Sequence, residues 1–152
     1  MKKIKVDGVK CKVTTSTENV KKQWYDLDLD VWGSHVHLFV GSVDEMKASA
    51  RSKFKDNADV LEVIESWGKR DADAFGGSNS CGDHYIIRLK RYRPGMVADV
   101  LTLMHESLHV AQRLLCDIGA EVEPSGSETL AYTHQFIVGR LIEKILKANK
   151  LM

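Results

Sequence analysis

Residues 101–112, LTLMHESLHVAQ, place two histidines four positions apart, with a glutamate directly after the first. The apolar residues recur at helical spacing, so we expect a helix that begins near Pro94 and ends near Cys116. An α-helix turns about 100° per residue, which puts His105 and His109 about 40° apart on one face. A single cation about 2.0–2.1 Å from each imidazole nitrogen can bridge such a pair. The spacing therefore predicts a metal-binding helix.

Glu106 lies about 60° round the same helix from His109, close to the expected cation but poorly aimed to bind it. We expect it to accept a proton from a metal-bound water, as a general base does. The helix should bury a neighbouring apolar stripe, which comprises Val97, Leu101, Met104, Leu108, Ala111 and Leu115. The histidines would then face a cleft.

A catalytic zinc normally takes three protein ligands, so the histidine pair needs a third. The downstream candidates are Cys116, Asp117, Glu121, Glu123, Glu128 and His134. We choose Glu128, which opens the last long helix, about residues 127–147. His134 points about 120° away from Glu128 and cannot serve the same ion. The alternative is that Glu128 closes a capping box with Ser125.

Tyr132 lies one turn beyond Glu128 on the same face. Its hydroxyl could orient a ligand or hydrogen-bond a tetrahedral intermediate. The alternative is an ordinary half-buried tyrosine that packs on its neighbours.

The rest of the chain indicates one α+β domain of 152 residues. Residues 1–41 alternate as strands and hairpins, with turns at Asp7-Gly8 and Gly33-Ser34. Ser42 and Glu45 form a capping box at the start of a helix, and residues 58–67 favour a second helix. Residues 70–83 indicate a loop or a ragged strand, and residues 84–92 a strand.

Composition limits the partners. The net charge is +1, which marks neither a nucleic-acid nor an anionic-membrane partner, so we expect neither. No apolar run approaches the roughly 20 residues of a bilayer span. Three cysteines at wide spacing suit reduced thiols inside a cell, and we expect a cytoplasmic protein. The oligomeric state stays open.

Three lesser patterns have ordinary interpretations. His35 and His37 share one face of a strand, and polarity at the surface explains them better than metal binding. Cys81 and His84 are spaced as half a zinc knuckle without a second half. The basic run Arg88, Lys90, Arg91 and Arg93 could favour acidic peptides or prevent edge-to-edge aggregation.

The segment His105-Glu106-Ser107-Leu108-His109, the eighteen-residue gap and Glu128 on a following helix resemble the gluzincin class of zinc metallopeptidases. The short chain resembles the minimal single-domain members and the small metallopeptidases of phage genomes. The resemblance covers residues 84–149. One departure is Tyr132, which stands where many gluzincins have an aspartate.

The resemblance implies a zincin-like fold in which a small mixed or antiparallel sheet packs against the active-site helix and the helix that bears Glu128. It implies a zinc ion held by His105, His109 and Glu128, with Glu106 as the general base of peptide hydrolysis. The substrate peptide would pair with the 84–92 strand at a sheet edge. The alternative is a zincin-fold binding or regulatory protein, such as a phage accessory protein, with little proteolysis.

Overall fold

The computed structural model describes residues 3–6, 9–12, 17–30, 32–120 and 127–152, with residues 3–6 and 9–12 described by their backbone alone. The strands are β1 (Lys3–Val6), β2 (Val9–Lys12), β3 (Trp24–Leu29), β4 (Ser34–Val40), β5 (Gly76–Cys81) and β6 (His84–Leu89). The helices are α1 (Val43–Lys53), α2 (Ala58–Glu65), α3 (Lys69–Asp73), α4 (Val97–Asp117) and α5 (Ser127–Ala148). The α+β class is confirmed.

The main sheet has the order β3-β4-β6-β5. Its β4–β6 pair is parallel, whereas β3–β4 and β5–β6 are antiparallel. β1 and β2 form a separate antiparallel pair, and the turn predicted at Asp7-Gly8 between them lies outside the described residues. No helix in the described part of the chain has the length and apolar character needed to span a bilayer.

Helices cover both faces of the main sheet because side chains along each strand alternate between two cores. In β4, Val36, Leu38 and Val40 belong to the core shared with α4 and α5. Phe39 belongs to the second core, where α1 and α2 pack. The sheet is therefore the middle of three layers.

Short-range patterns in the sequence correctly predicted a helix start, a second helix and a turn in the first half of the chain. The Ser42 hydroxyl accepts from the Glu45 amide and the Glu45 carboxylate accepts from the Ser42 amide, as the capping box predicts. The helix in 58–67 is confirmed as α2, and the turn at Gly33 is confirmed with a φ of 61°.

The strand in 84–92 is confirmed as β6, but the prediction that it lies at a sheet edge is wrong. β6 is hydrogen-bonded to β4 on one side and to β5 on the other, so no backbone groups remain for an added strand. The edge strand is β5, in the segment predicted as a loop or ragged strand. Arg88 is fully buried, and its guanidinium donates to the carbonyls of Gly41, Asp71 and Ala74, so it is no edge charge.

The predicted apolar stripe of α4 is wrong over its first half. Val97, Leu101 and Met104 are 72%, 56% and 39% exposed. The helix instead buries a face that includes three polar residues and is made by Asp99, Leu103, Glu106, Ser107, Val110, Ala111, Leu114 and Leu115. Two of the three polar groups are satisfied locally, since Ser107 donates to the Leu103 carbonyl and Asp99 pairs with Arg93. A hydropathy pattern counts such residues as outward-facing, which explains the error.

The start of α4 also differs from the prediction. Pro94 lies in a turn closed by the hydrogen bond from the Met96 amide to the Arg93 carbonyl, and the helix begins at Val97. α5 begins at Ser127 as expected and ends at Ala148.

Candidate functional site

The histidine pair of α4 is brought together as predicted. The Nε2 atoms of His105 and His109 are 3.1 Å apart, and both side chains are exposed. Two nitrogen ligands of a tetrahedral ion, each about 2.0–2.1 Å from the metal, are themselves roughly 3.3 Å apart. The separation therefore fits two ligands of one small divalent cation.

The third predicted ligand is not brought to the pair. Within the residues that the structure describes, no three His, Cys, Asp or Glu side chains are arranged to hold a metal ion. Glu128 is exposed in the first turn of α5. Its alternative capping partner, Ser125, lies outside the described residues, as do Glu121 and Glu123. Glu128 as a ligand stays a prediction.

Glu106 faces the sheet. It is only 8% exposed, and α4 approaches β5 so closely that a Cβ on Gly76 would lie 3.2 Å from the Glu106 Cγ and 2.7 Å from the Thr102 Cγ2. Only a glycine permits this approach. No hydrogen bond or ion pair holds the Glu106 carboxylate in the part of the chain that is described, so the carboxylate can accept a proton or a donor.

The two other candidates on α5 differ in their surroundings. His134 Nε2 donates to the Met104 carbonyl at 2.9 Å, which ties α5 to α4 beside His105. Tyr132 is 68% exposed, so the half-buried packing offered as its alternative role is wrong. A catalytic role for Tyr132 stays a prediction.

A polar groove runs between β5 and α4, directly beside the histidine pair. It encloses a cavity of about 220 Å³ lined by Ser78, Asn79, Ser80, Tyr85, His109, Val110 and Arg113. The β5 residues present hydroxyl and amide groups, and α4 presents an imidazole and a guanidinium. This set of donors suits an anionic or polar ligand.

Arg113 is a candidate residue of this groove that the sequence analysis missed. It lies four residues after His109, so it occupies the same helix face one turn on, and this spacing was the signal that could have found it. Its Nε lies 3.5 Å from Asp117 Oδ1, and Tyr85 donates to Asp117 Oδ2 at 2.8 Å. Burial, with the hydrogen bond to Asp117, raises the pKa of Tyr85, so its hydroxyl remains a donor.

A second histidine cluster lies on the opposite face of the sheet. Asn57 Oδ1 accepts from the Val60 amide, so its Nδ2 donates to His84 Nε2 at 3.1 Å. His84 Nδ1 then donates to His37 Nε2 at 2.9 Å, and His37 Nδ1 donates to Asp26 at 2.8 Å. Every ring nitrogen of His84 and His37 therefore has a hydrogen-bond partner in this arrangement.

The cluster corrects the prediction of surface polarity for His37, which is only 7% exposed. His35 lies closer to solvent, with Nδ1 2.9 Å from Asp28, and stacks on His84. Burial lowers the pKa of His84, and the neighbouring His37 and His35 lower it further against the opposing effect of Asp83. The neutral form of His84 is therefore the stable one.

Comparison with known proteins gives one similarity. The chain is 28% identical over 80 residues to an oligoribonuclease from Ralstonia nicotianae. The match covers 49% of this chain and 36% of that protein, so the chain spans about a third of the relative's length. No family model matches the chain, and no solved structure matches it.

This similarity corrects three predictions. A nucleic-acid-degrading relative contradicts the assignment as a metallopeptidase, together with its alternative as an inactive zincin-fold binding protein. It also contradicts the expectation that nucleic acid is not a partner. The net charge was a poor guide to the partner. A net charge near zero is a sum over the whole chain, and it does not show where a single arginine such as Arg113 lies.

Proposed function

We propose that the protein is a hydrolase that cleaves the phosphodiester bonds of short RNA strands in the groove between β5 and α4. The observation that carries the proposal is the similarity to the oligoribonuclease. The groove supports it, because His109, Arg113 and the polar side chains of β5 line the same cavity. The proposed substrate is anionic, and these donors match it.

Arg113 is the proposed phosphate-binding residue. Its side chain is 65% exposed, so the guanidinium can turn from Asp117 to the phosphate. A guanidinium presents two parallel N–H donors to two phosphate oxygens and neutralises their charge. Ser78 and Ser80, across the groove, donate hydroxyl hydrogen bonds to the same group. These contacts hold the phosphorus next to His109.

The hydrolysis itself breaks one P–O bond. Water adds its oxygen to phosphorus, the bond to the leaving sugar oxygen breaks, and that oxygen gains a proton. Glu106 is the proposed acceptor of the water proton, because it has no partner in the described residues and follows His105 directly in α4. Placing such a group correctly contributes typically 10²- to 10⁴-fold to the rate.

A divalent cation, with zinc the first choice, belongs to this proposal. His105 and His109 would hold it through Nε2, and Glu128 is the proposed third ligand. When bound, such an ion polarises the phosphoryl oxygen and acidifies a bound water. The imidazoles must be neutral to bind it.

The test is a digest of 5′-labelled single-stranded oligoribonucleotides, with oligodeoxyribonucleotides and a peptide library alongside. Cleavage of RNA by the wild type, with a loss of at least about 100-fold in His109→Ala, supports the proposal. Each variant is purified identically, because a contaminating nuclease would cleave at the same rate in all of them. Absence of RNA cleavage with zinc, manganese or magnesium added would refute the proposal.

Arg113→Ala has a matched control in Arg51→Ala. Both arginines are exposed to nearly the same extent, 65% and 67%, and each forms an ion pair with one acidic residue. Arg51 lies on α1, on the opposite face of the sheet. We expect Arg113→Ala to raise KM for RNA by about 10-fold or more and Arg51→Ala to leave it unchanged.

A further inference from the structure

A row of hydrogen bonds crosses the face of the sheet on which α1 and α2 pack. Asn57 donates to His84 at 3.1 Å, and His84 donates to His37 at 2.9 Å. His37 in turn donates to Asp26 at 2.8 Å. Both ends fix the direction of the row. The Oδ1 of Asn57 already accepts from the Val60 amide, so its amino group faces His84, and a carboxylate such as Asp26 can only accept.

The Asp26 end of the row stays charged when a histidine titrates. Lys53 Nζ lies 2.7 Å from the second oxygen of Asp26. Burial opposes ionisation, but the hydrogen bonds from His37 and Lys53 prevail and lower the pKa of Asp26. This carboxylate therefore remains an acceptor throughout mild acid, and it holds the proton of His37 on Nδ1.

The row cannot take a further proton without losing a hydrogen bond. Its two ring nitrogens without a proton, Nε2 of His84 and Nε2 of His37, each face a donor. A proton on His84 Nε2 would oppose the amino group of Asn57. A proton on His37 Nε2 keeps its bond to His84 only if His84 moves its own proton to Nε2, which again opposes Asn57. Asp83 Oδ1 lies 3.6 Å from His84 Nε2 and can accept this proton, so the row breaks at Asn57.

Titratable groups surround the row on every element that packs against it. They are Asp26 and Asp28 of β3, His35 of β4, Cys81 of β5, Asp83 before β6, Lys53 of α1 and Asp59 in the first turn of α2. His35 stacks on His84 and competes with it for a proton. However, the Nδ1 of His35 faces Asp28 and not the row, so protonation of His35 breaks no hydrogen bond of the row.

The end of the row at Asn57 fastens one helix to the sheet. Asn57 is the N-cap of α2, so its contact with His84 ties the start of that helix to β6. α2 packs against β5. Trp67, which follows α2, lies so close to β5 that a Cβ on Gly77 would be 3.3 Å from the Trp67 ring. Because β5 also lines the groove beside His109, loss of the contact frees the helix that supports one wall of the groove.

We propose that Asn57 and His84 form a proton-operated latch between α2 and β6. At neutral pH the latch is closed, because His84 Nε2 carries no proton and accepts from Asn57. In mild acid the row takes one proton, His84 Nε2 donates to Asp83, and Asn57 is released. This switch goes beyond the proposed function, and its tests involve neither RNA nor hydrolysis, so either can fail while the other stands.

Nitrogen-15 NMR of the histidine rings shows which nitrogen carries the proton. At about pH 7.5, where an unperturbed histidine is neutral, His84 and His37 should both be protonated on Nδ1. As the pH falls, the carboxamide resonances of Asn57 should shift with the same midpoint as the His84 ring, below about 6.5. The shift should persist in His35→Gln, which removes the neighbouring imidazole but no member of the row. An Nε2 proton on either ring, or an Asn57 shift that is absent or is lost in His35→Gln, would overturn the inference.

Asn57→Asp converts the donor of the latch into an acceptor. Aspartate caps a helix about as well as asparagine, so α2 keeps its first turn. The new carboxylate can accept from a proton on His84 Nε2, so the midpoint of the His84 titration should rise by about 1 pH unit or more. Gln135→Glu is the matched control, because it adds the same charge at an exposed position of α5, on the opposite side of the sheet. This control should leave the midpoint unchanged, and equal midpoints in the two variants would refute the latch.

Discussion

Asp99 is the residue on which we expect the position of α4 to depend most. Its side chain is completely buried in the first turn of the helix. Arg93 donates to it twice, from Nε at 2.8 Å and from Nη2 at 3.0 Å. Replacement by Asn keeps the size but removes the charge. Losing one partner of a buried pair costs about 3–5 kcal/mol, but Arg93 is 21% exposed and can regain water. We therefore expect Asp99→Asn to lower the free energy of unfolding by about 2 kcal/mol.

Urea denaturation measures this change. With an m-value of about 1–3 kcal/mol/M, the midpoint should fall by roughly 1 M. Glu65→Gln is the control, because Glu65 is 39% exposed and pairs with Arg51 on the surface. Such a pair contributes less than about 1 kcal/mol. A midpoint shift in Asp99→Asn no larger than that of Glu65→Gln would refute the argument.

The pH dependence gives an independent check. The hydrogen bonds from Arg93 hold the pKa of Asp99 below its usual range, against the opposing effect of burial. The unfolded chain therefore binds this proton first as the pH falls, and the stabilisation is complete above the unfolded value of about 3.9. The stabilisation is lost as the pH falls through the lower pKa that Asp99 has in the folded protein. The difference between wild type and Asp99→Asn should be constant above about pH 5 and shrink only in stronger acid.

Three further predictions concern residues on the two faces of the sheet. Gly76→Ala should destabilise the protein by about 1–3 kcal/mol, because the new methyl group would lie 2.7 Å from Thr102 Cγ2. Urea denaturation measures this change. An unchanged midpoint would show that β5 and α4 can move apart without cost. Because the pKa of His84 is lowered in the folded protein, the unfolded chain binds a proton at this residue more readily than the folded chain does. The free energy of unfolding should therefore decline as the pH falls below about 6.5, the pKa of an unperturbed histidine. His84→Asn cannot be protonated at this position and should lose less stability in that pH range. Tyr85→Phe removes the hydrogen bond to the carboxylate that holds Arg113 and should lower stability by about 1 kcal/mol; an equal melting curve would contradict the role given to that hydroxyl.

Local signals in the sequence predicted most of the elements. The capping box of Ser42 and Glu45 involves residues three apart, and the four-residue spacing of His105 and His109 depends only on helix geometry. Both were correct because each is decided within one turn of chain. The prediction for β5 was left open between a loop and a ragged strand because its residues, Gly-Gly-Ser-Asn-Ser-Cys, have low strand propensity and owe their conformation to pairing with β6.

The site depends on contacts between distant segments, which no short pattern contains. Arg113 and Tyr85 both contact Asp117, which links them. The groove exists because β5 lies beside α4. The buried face of α4 was misplaced because Asp99 and Ser107 are polar yet satisfied locally. A composition or periodicity argument cannot foresee such partners, since it treats each side chain alone.

A two-histidine helix alone does not decide what is hydrolysed. Two imidazoles whose Nε2 atoms are 3.1 Å apart can hold a cation for either amide or phosphodiester chemistry, so the motif carries little information about the substrate. That information lies in the surroundings of the pair. An extended peptide was expected to pair with β6, and β6 is interior. An anionic strand needs hydrogen-bond donors and positive charge, and the groove next to His109 offers Arg113 and the polar side chains of β5. The proposal of an RNA substrate therefore rests on the similarity to the oligoribonuclease, and the donors of the groove are compatible with it.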